Sequence, residues 1–89
     1  MGQSDIRSIS YQGGAAVTQS DATNDPAGPF AAIEATTASG SVKVTAIDGS
    51  IMTLYLPQGL IKPLEVLRVW STGTTATGIV GYYAVGKVL

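Results

Sequence analysis

Val42-Lys43-Val44-Thr45-Ala46-Ile47-Asp48-Gly49-Ser50-Ile51-Met52-Thr53-Leu54-Tyr55-Leu56 is the stretch that decides the fold. Two alternating runs flank Asp48-Gly49, a dipeptide that favours tight hairpins. Alternation with period two sends successive side chains to opposite faces of a strand. The turn then determines which faces meet. A two-residue turn at Asp48-Gly49 pairs Ala46 with Ile51 and Val44 with Thr53. A three-residue loop of Ile47, Asp48 and Gly49, with Gly49 as the left-handed bulge residue, pairs Ala46 with Ser50. In that register Val42, Val44 and Ala46 share a face with Met52, Leu54 and Leu56, and Lys43, Thr45, Ile51, Thr53 and Tyr55 lie opposite. A slip of one residue exchanges the two faces. The bulged register yields one strongly apolar face and is the expected one. It leaves Ile47 exposed at the loop tip, as a cost or as a contact point.

Outward from this hairpin, the pattern stays β from Phe30 on. Expected strands lie at about 30–37, 40–47, 51–57, 64–71 and 78–86, separated by turn residues as in small sandwiches and barrels. Val, Ile, Thr and Tyr fit a pleated surface, and no stretch keeps a helical stripe for three turns. Pro63 holds Lys62 extended and cannot donate to a central ladder, so a strand begins at or just after Pro63. Leu64 to Trp70 is apolar on both faces, which fits a central strand or one buried between subunits. Gly81 leaves room for a close backbone approach or a bulge. The fold class expected is all-β, a small antiparallel β-sandwich or barrel with an extended N-terminal arm.

The arm is residues 1–29 and the β core residues 30–89. Gly13-Gly14, the polar run from Thr18 to Asp25 and Pro26-Ala27-Gly28-Pro29 are loop chemistry. Ile6, Tyr11 and Val17 are apolar anchors that a solvated tail does not need, so the arm is expected to order against a neighbour. Together with Ile47, Tyr55, Tyr82 and Tyr83 they are the candidate assembly contacts.

Composition narrows the function classes. The chain has 89 residues, one domain at most, with 45% hydrophobic but only 12% charged residues. Soluble domains average about 25% charged. Gly, Thr, Ser and Ala replace the missing charge, giving a surface that is cheap to desolvate. A β unit of about 60 residues buries barely enough apolar surface to offset its ordering entropy, and association supplies more. A homo-oligomer is therefore expected. The five basic residues, Arg7, Lys43, Lys62, Arg68 and Lys87, are scattered, which argues against nucleic acid. No apolar run is long enough to span a bilayer, and the N-terminal sequence has neither a signal-peptide core nor a myristoylation pattern.

Catalytic and metal-binding patterns are weak. The chain contains no His and no Cys, which removes the commonest general base, metal ligand and thiol nucleophile. Asp21 and Asp25 share a loop, but calcium needs six to eight oxygens, so they read as turn and capping residues. Asp48 is explained by its turn. Ser71-Thr72-Gly73-Thr74-Thr75-Ala76-Thr77-Gly78 lacks the lysine and the following helix of a phosphate loop. Its hydroxyls suit backbone groups in a tight connection. The expectation is a protein without catalytic activity, cofactor or metal.

Val17-Thr18-Gln19-Ser20-Asp21-Ala22-Thr23-Asn24-Asp25-Pro26, the Leu56-Pro57-Gln58-Gly59 turn, the Pro-x-x-Val segment at 63–66 and Arg68-Val69-Trp70-Ser71-Thr72-Gly73-Thr74-Thr75-Ala76-Thr77-Gly78-Ile79-Val80 together resemble a family of small virion proteins of tailed phages and gene transfer agents. Some members are described as spike bases, seated on the head and carrying fibres. The resemblance covers about residues 15–83, and the 68–80 stretch is its specific part. It implies a capsid-attached structural protein, a spike base or decoration (cement) protein, made in the bacterial host cytoplasm and placed on the head exterior. Its partners would be copies of itself and the major capsid protein or other virion proteins. A neck or tail component, and a soluble glycan- or peptide-binding module, are the alternatives.

Overall fold

The computed structural model describes residues 11–84, and the fold is all-β. Six strands run in chain order: β1 (Tyr11–Ala16), β2 (Phe30–Ala38), β3 (Gly40–Ala46), β4 (Ile51–Leu56), β5 (Lys62–Val69) and β6 (Thr77–Ala84). They form one antiparallel sheet in the order β1-β6-β2-β5-β3-β4. The five strands expected from the alternation all form, within a few residues of the expected bounds.

The hairpin adopts the bulged register. Val44 pairs with Met52 and Val42 with Leu54. The Ala46 N–H donates to Ser50 O at 2.8 Å, and the Gly49 N–H donates back to Ala46 O at 2.9 Å. Gly49 has φ +91°, a backbone region that side chains with a Cβ rarely enter. Asp48 secures the loop by accepting the Ser50 N–H and hydroxyl at 3.0 and 2.6 Å. Val42 and Val44 are completely buried.

Among the described residues there is one sheet, with no helix and no second layer, so such residues are buried by the sheet wrapping its own inner face. Ile33 and Ala35 of β2, Val42 and Val44 of β3, Leu56 of β4, Val66 and Val69 of β5 and Ile79 of β6 meet in a single core. Ladder irregularities interrupt four of the five strand pairings, and bulges add local bend and twist. One of them explains β5. Ala46 pairs with Val66 but Thr45 with Arg68, so Leu67 is an extra residue. That bulge turns both Val66 and Val69 inward despite their odd spacing, and both are fully buried. β5 lies between β2 and β3, the central position expected from its two-sided apolar pattern.

The N-terminal stretch differs from its loop-like reading. Tyr11–Ala16 is a strand, paired with β6 of the same chain. Its Gly14 packs so tightly that a Cβ there would meet Gly81 O at 2.4 Å. The following loop continues along the sheet, with Val17 N donating to Ile79 O, Ser20 N to Val69 O and Asp25 N to Leu67 O. Buried Asp25 organises it, its carboxylate accepting the Thr18 and Ala27 N–H groups at 2.8 Å each. The neighbour against which residues 11–29 lie is therefore the chain's own core. Gly81 has a second duty, since a Cβ there would meet the Phe30 ring at 2.3 Å. The close approach it permits is a ring as well as a backbone.

Candidate assembly surface

Hydrogen-bond parity in the hairpin fixes what β4 shows to its surroundings. The Ala46 N–H donates to Ser50 O at the loop end of the ladder, so the bonded pairs recur every second residue along it. Met52 and Leu54 thus direct their backbone groups toward β3. Ile51, Thr53 and Tyr55 direct theirs away from it, and among the described residues β4 is the last strand of the sheet. The same three residues carry exposed side chains, with Ile51 at 56% and Tyr55 at 62% of full exposure. Ile47 stands exposed at the adjoining loop tip. β4 contains no charge, no proline and no ladder irregularity, the usual devices that blunt an edge strand.

Beside this edge lies a cationic-aromatic stack. Thr45 Oγ1 accepts the Trp70 indole N–H at 3.0 Å. Lys43 Nζ sits 4.2 Å from the Trp70 ring centroid and Arg68 Cζ 5.1 Å from it. The Arg68 Nε is buried with no hydrogen-bond partner among the described residues, while its Nη1 donates to Asp21 O at 3.5 Å. Both cations therefore spend their charge on the indole face, a favourable placement.

The Thr-rich loop follows the structural reading. Thr75 Oγ1 accepts the Ser41 N–H at 2.9 Å, and Thr74 Oγ1 accepts the Lys43 N–H at 3.0 Å. Ser41 Oγ donates to Gly73 O at 3.0 Å. The loop is fixed from the other side by Asp21, whose carboxylate accepts the Thr72 N–H and hydroxyl. These bonds, the Thr72 hydroxyl first, hold the Asp21 carboxyl below its usual range.

The expected contacts divide into two groups. Ile47 and Tyr55 are exposed as expected. Tyr82 and Tyr83 are half-buried and engaged within the chain. Tyr82 donates its hydroxyl to Glu34, a bond that raises the phenol's pKa, with burial and the carboxylate charge adding to it. Tyr83 donates to Ala27 O at 2.8 Å and stacks on Phe30 at 5.8 Å between centroids. Val17 is half-buried against the core. Tyr11 lies in β1, and Ile6 lies outside the described residues. Ile51, Leu60 and Ile61 are exposed apolar residues that the contact set omitted. Ile51 was recoverable from the hairpin parity that selected Tyr55. Leu60 and Ile61 had no periodic signal.

Concave features are modest. A hollow of about 210 Å³ is lined by Pro29, Phe30, Ala31, Ile47, Glu65 and Ala84, below the roughly 300 Å³ at which small-molecule sites begin. A more open depression of about 380 Å³ over β1 and β6 is lined by Gly14, Ala15, Ala16, Val80, Gly81 and Tyr82 and offers no charged group. Among the described residues no three His, Cys, Asp or Glu side chains gather as metal ligands, and no helix is long and apolar enough to cross a membrane. No family model, curated protein or solved structure matches the chain.

Proposed function

We propose that this chain is a non-enzymatic structural protein that assembles with copies of itself and with larger virion proteins. Its place is the exterior of a tailed-phage head, as a spike base or decoration protein. The observation that carries assembly is the β4 edge, uncharged and apolar, with the backbone groups of Ile51, Thr53 and Tyr55 directed outward. An edge of this kind is a template for further strand pairing. The sparse charge of the whole chain, 12%, lowers the cost of burying the surface around it. The virion setting rests on the resemblance of the 68–80 stretch to the spike-base family.

Mass spectrometry of purified particles tests this reading. Stoichiometric presence supports it, with hundreds of copies expected for a capsid coat and tens or fewer for a neck or tail part. Absence from particles rejects it. A soluble glycan- or peptide-binding module instead predicts a monodisperse monomer whose melting temperature rises with ligand.

A further inference from the structure

We propose that the occupant of the β4 edge is β4 of a second copy, paired antiparallel about a two-fold axis through Thr53. This inference rests on the assembly reading and adds a partner, a strand and a register.

The sequence of β4, Ile51-Met52-Thr53-Leu54-Tyr55-Leu56, is self-complementary about Thr53. The outward backbone groups belong to positions 51, 53 and 55, which a two-fold at Thr53 exchanges among themselves. Thr53 then faces Thr53, and Ile51 faces Tyr55 of the second copy, giving roughly six new backbone hydrogen bonds. Every cross-strand pair is favourable. Aromatic against β-branched and Thr against Thr are stabilising neighbours. On the inner face Met52 meets Leu54 of the second copy, and both residues already pack against the core. The apolar layer would therefore continue from one copy to the next.

Electrostatics favours a copy of the chain over a charged partner strand. β4 has no charge to satisfy, and the nearest cation on its outer face, Lys43, pairs with Thr53 one strand inward. In the dimer the two Lys43 residues stand three strand spacings apart, roughly 14 Å, beyond the Debye length of about 8 Å at physiological salt. The other edge offers no such match. β1 carries a register break between Tyr11 and Gly13 and is Gly-rich, both of which weaken pairing. A six-residue strand pair buries less than the roughly 1,000 Å² of a stable isolated interface. The dimer is accordingly concentration-dependent in solution, and high local concentration on a particle strengthens it.

The absence of cysteine from the chain makes a clean cross-linking test. In the proposed register the two Thr53 Cα atoms lie about 5.5 Å apart, within disulfide reach. The two Ile51 Cα atoms lie about 14 Å apart, outside it. Oxidised Thr53→Cys should run as a covalent dimer without reductant, and Ile51→Cys should not. Thr53→Glu sets two carboxylates face to face across the two-fold, while within the monomer it stands opposite Lys43, a favourable pair. Light scattering should find it monomeric at concentrations where the parent associates, with its β circular dichroism and melting temperature retained. Equal cross-linking at the two positions, a parent that stays monomeric at high concentration, or association that survives Thr53→Glu would each overturn the pairing. Association by another surface leaves the assembly reading standing, whereas absence from particles removes that reading whatever the cross-linking result.

Discussion

Thr72 donates both its backbone N–H and its hydroxyl to the carboxylate of Asp21, at 2.9 and 2.6 Å. A residue of the N-terminal stretch thereby clamps the Thr-rich loop from 51 positions away. Because the bonds favour the charged carboxylate, the Asp21 pKa falls on folding. Stability from this contact is complete above the unfolded value near 3.8 and is lost as pH falls through the lower folded value. Asp21→Ala should lower the melting temperature at pH 7. The difference from the parent should shrink below about pH 4, as thermal melts across pH will report.

Gly81→Ala drives a methyl into the Phe30 ring, where the Cβ would lie 2.3 Å from ring carbons. Overpacking of this kind costs about 1–3 kcal/mol. Urea unfolding should show that loss, and Phe30→Leu in the same chain should recover part of it by vacating the ring's space.

Gly49→Ala tests the hairpin. With φ at +91°, a Cβ has open space but a strained backbone, at a cost of roughly 1–2 kcal/mol. Denaturant melts should register the loss. Gly49→Asn should be the milder change, because Asn enters the left-handed region more readily.

Leu56→Ala removes a fully buried side chain that closes the β4 end of the core. A loss of about 2–5 kcal/mol is expected. For a domain of this size that is a fall in melting temperature of about 8 °C or more, measurable by calorimetry.

Ile51→Ser and Tyr55→Ser should leave the stability of the monomer within about 0.5 kcal/mol, as is usual for exposed positions. Both should reduce self-association by removing apolar area from the β4 edge, which sedimentation at matched concentrations would resolve.

The hairpin was legible because its alternation and turn act locally, and one apolar face selected the register. β5 was legible as a buried strand but its bulge was not. The pattern Val66-Leu67-Arg68-Val69 breaks alternation without saying which residue is extra, and only pairing with Thr45 and Ala46 decides that. β1 was hidden for a different reason. Tyr-Gln-Gly-Gly-Ala-Ala has little strand propensity, and it forms a strand because β6 offers a ladder to which Gly14 can come close. Within the candidate surface, the outward side of the hairpin gave Tyr55 and Ile47. The in-chain partners of Tyr82 and Tyr83 were not legible, because aromatic identity alone does not reveal a hydrogen-bond partner such as Glu34 or Ala27, 48 and 56 positions away.

The position of β6 has a consequence for how the chain is made. β6 lies between β1 and β2, yet it is the last of the six strands to leave the ribosome. Until it emerges, β1 has no strand to pair with and β2 lacks one of its two neighbours. Loop-closure entropy keeps such distant pairings from forming early. The sheet is thus completed only once Thr77–Ala84 has been synthesised, and a translation product truncated before it holds an unfinished one.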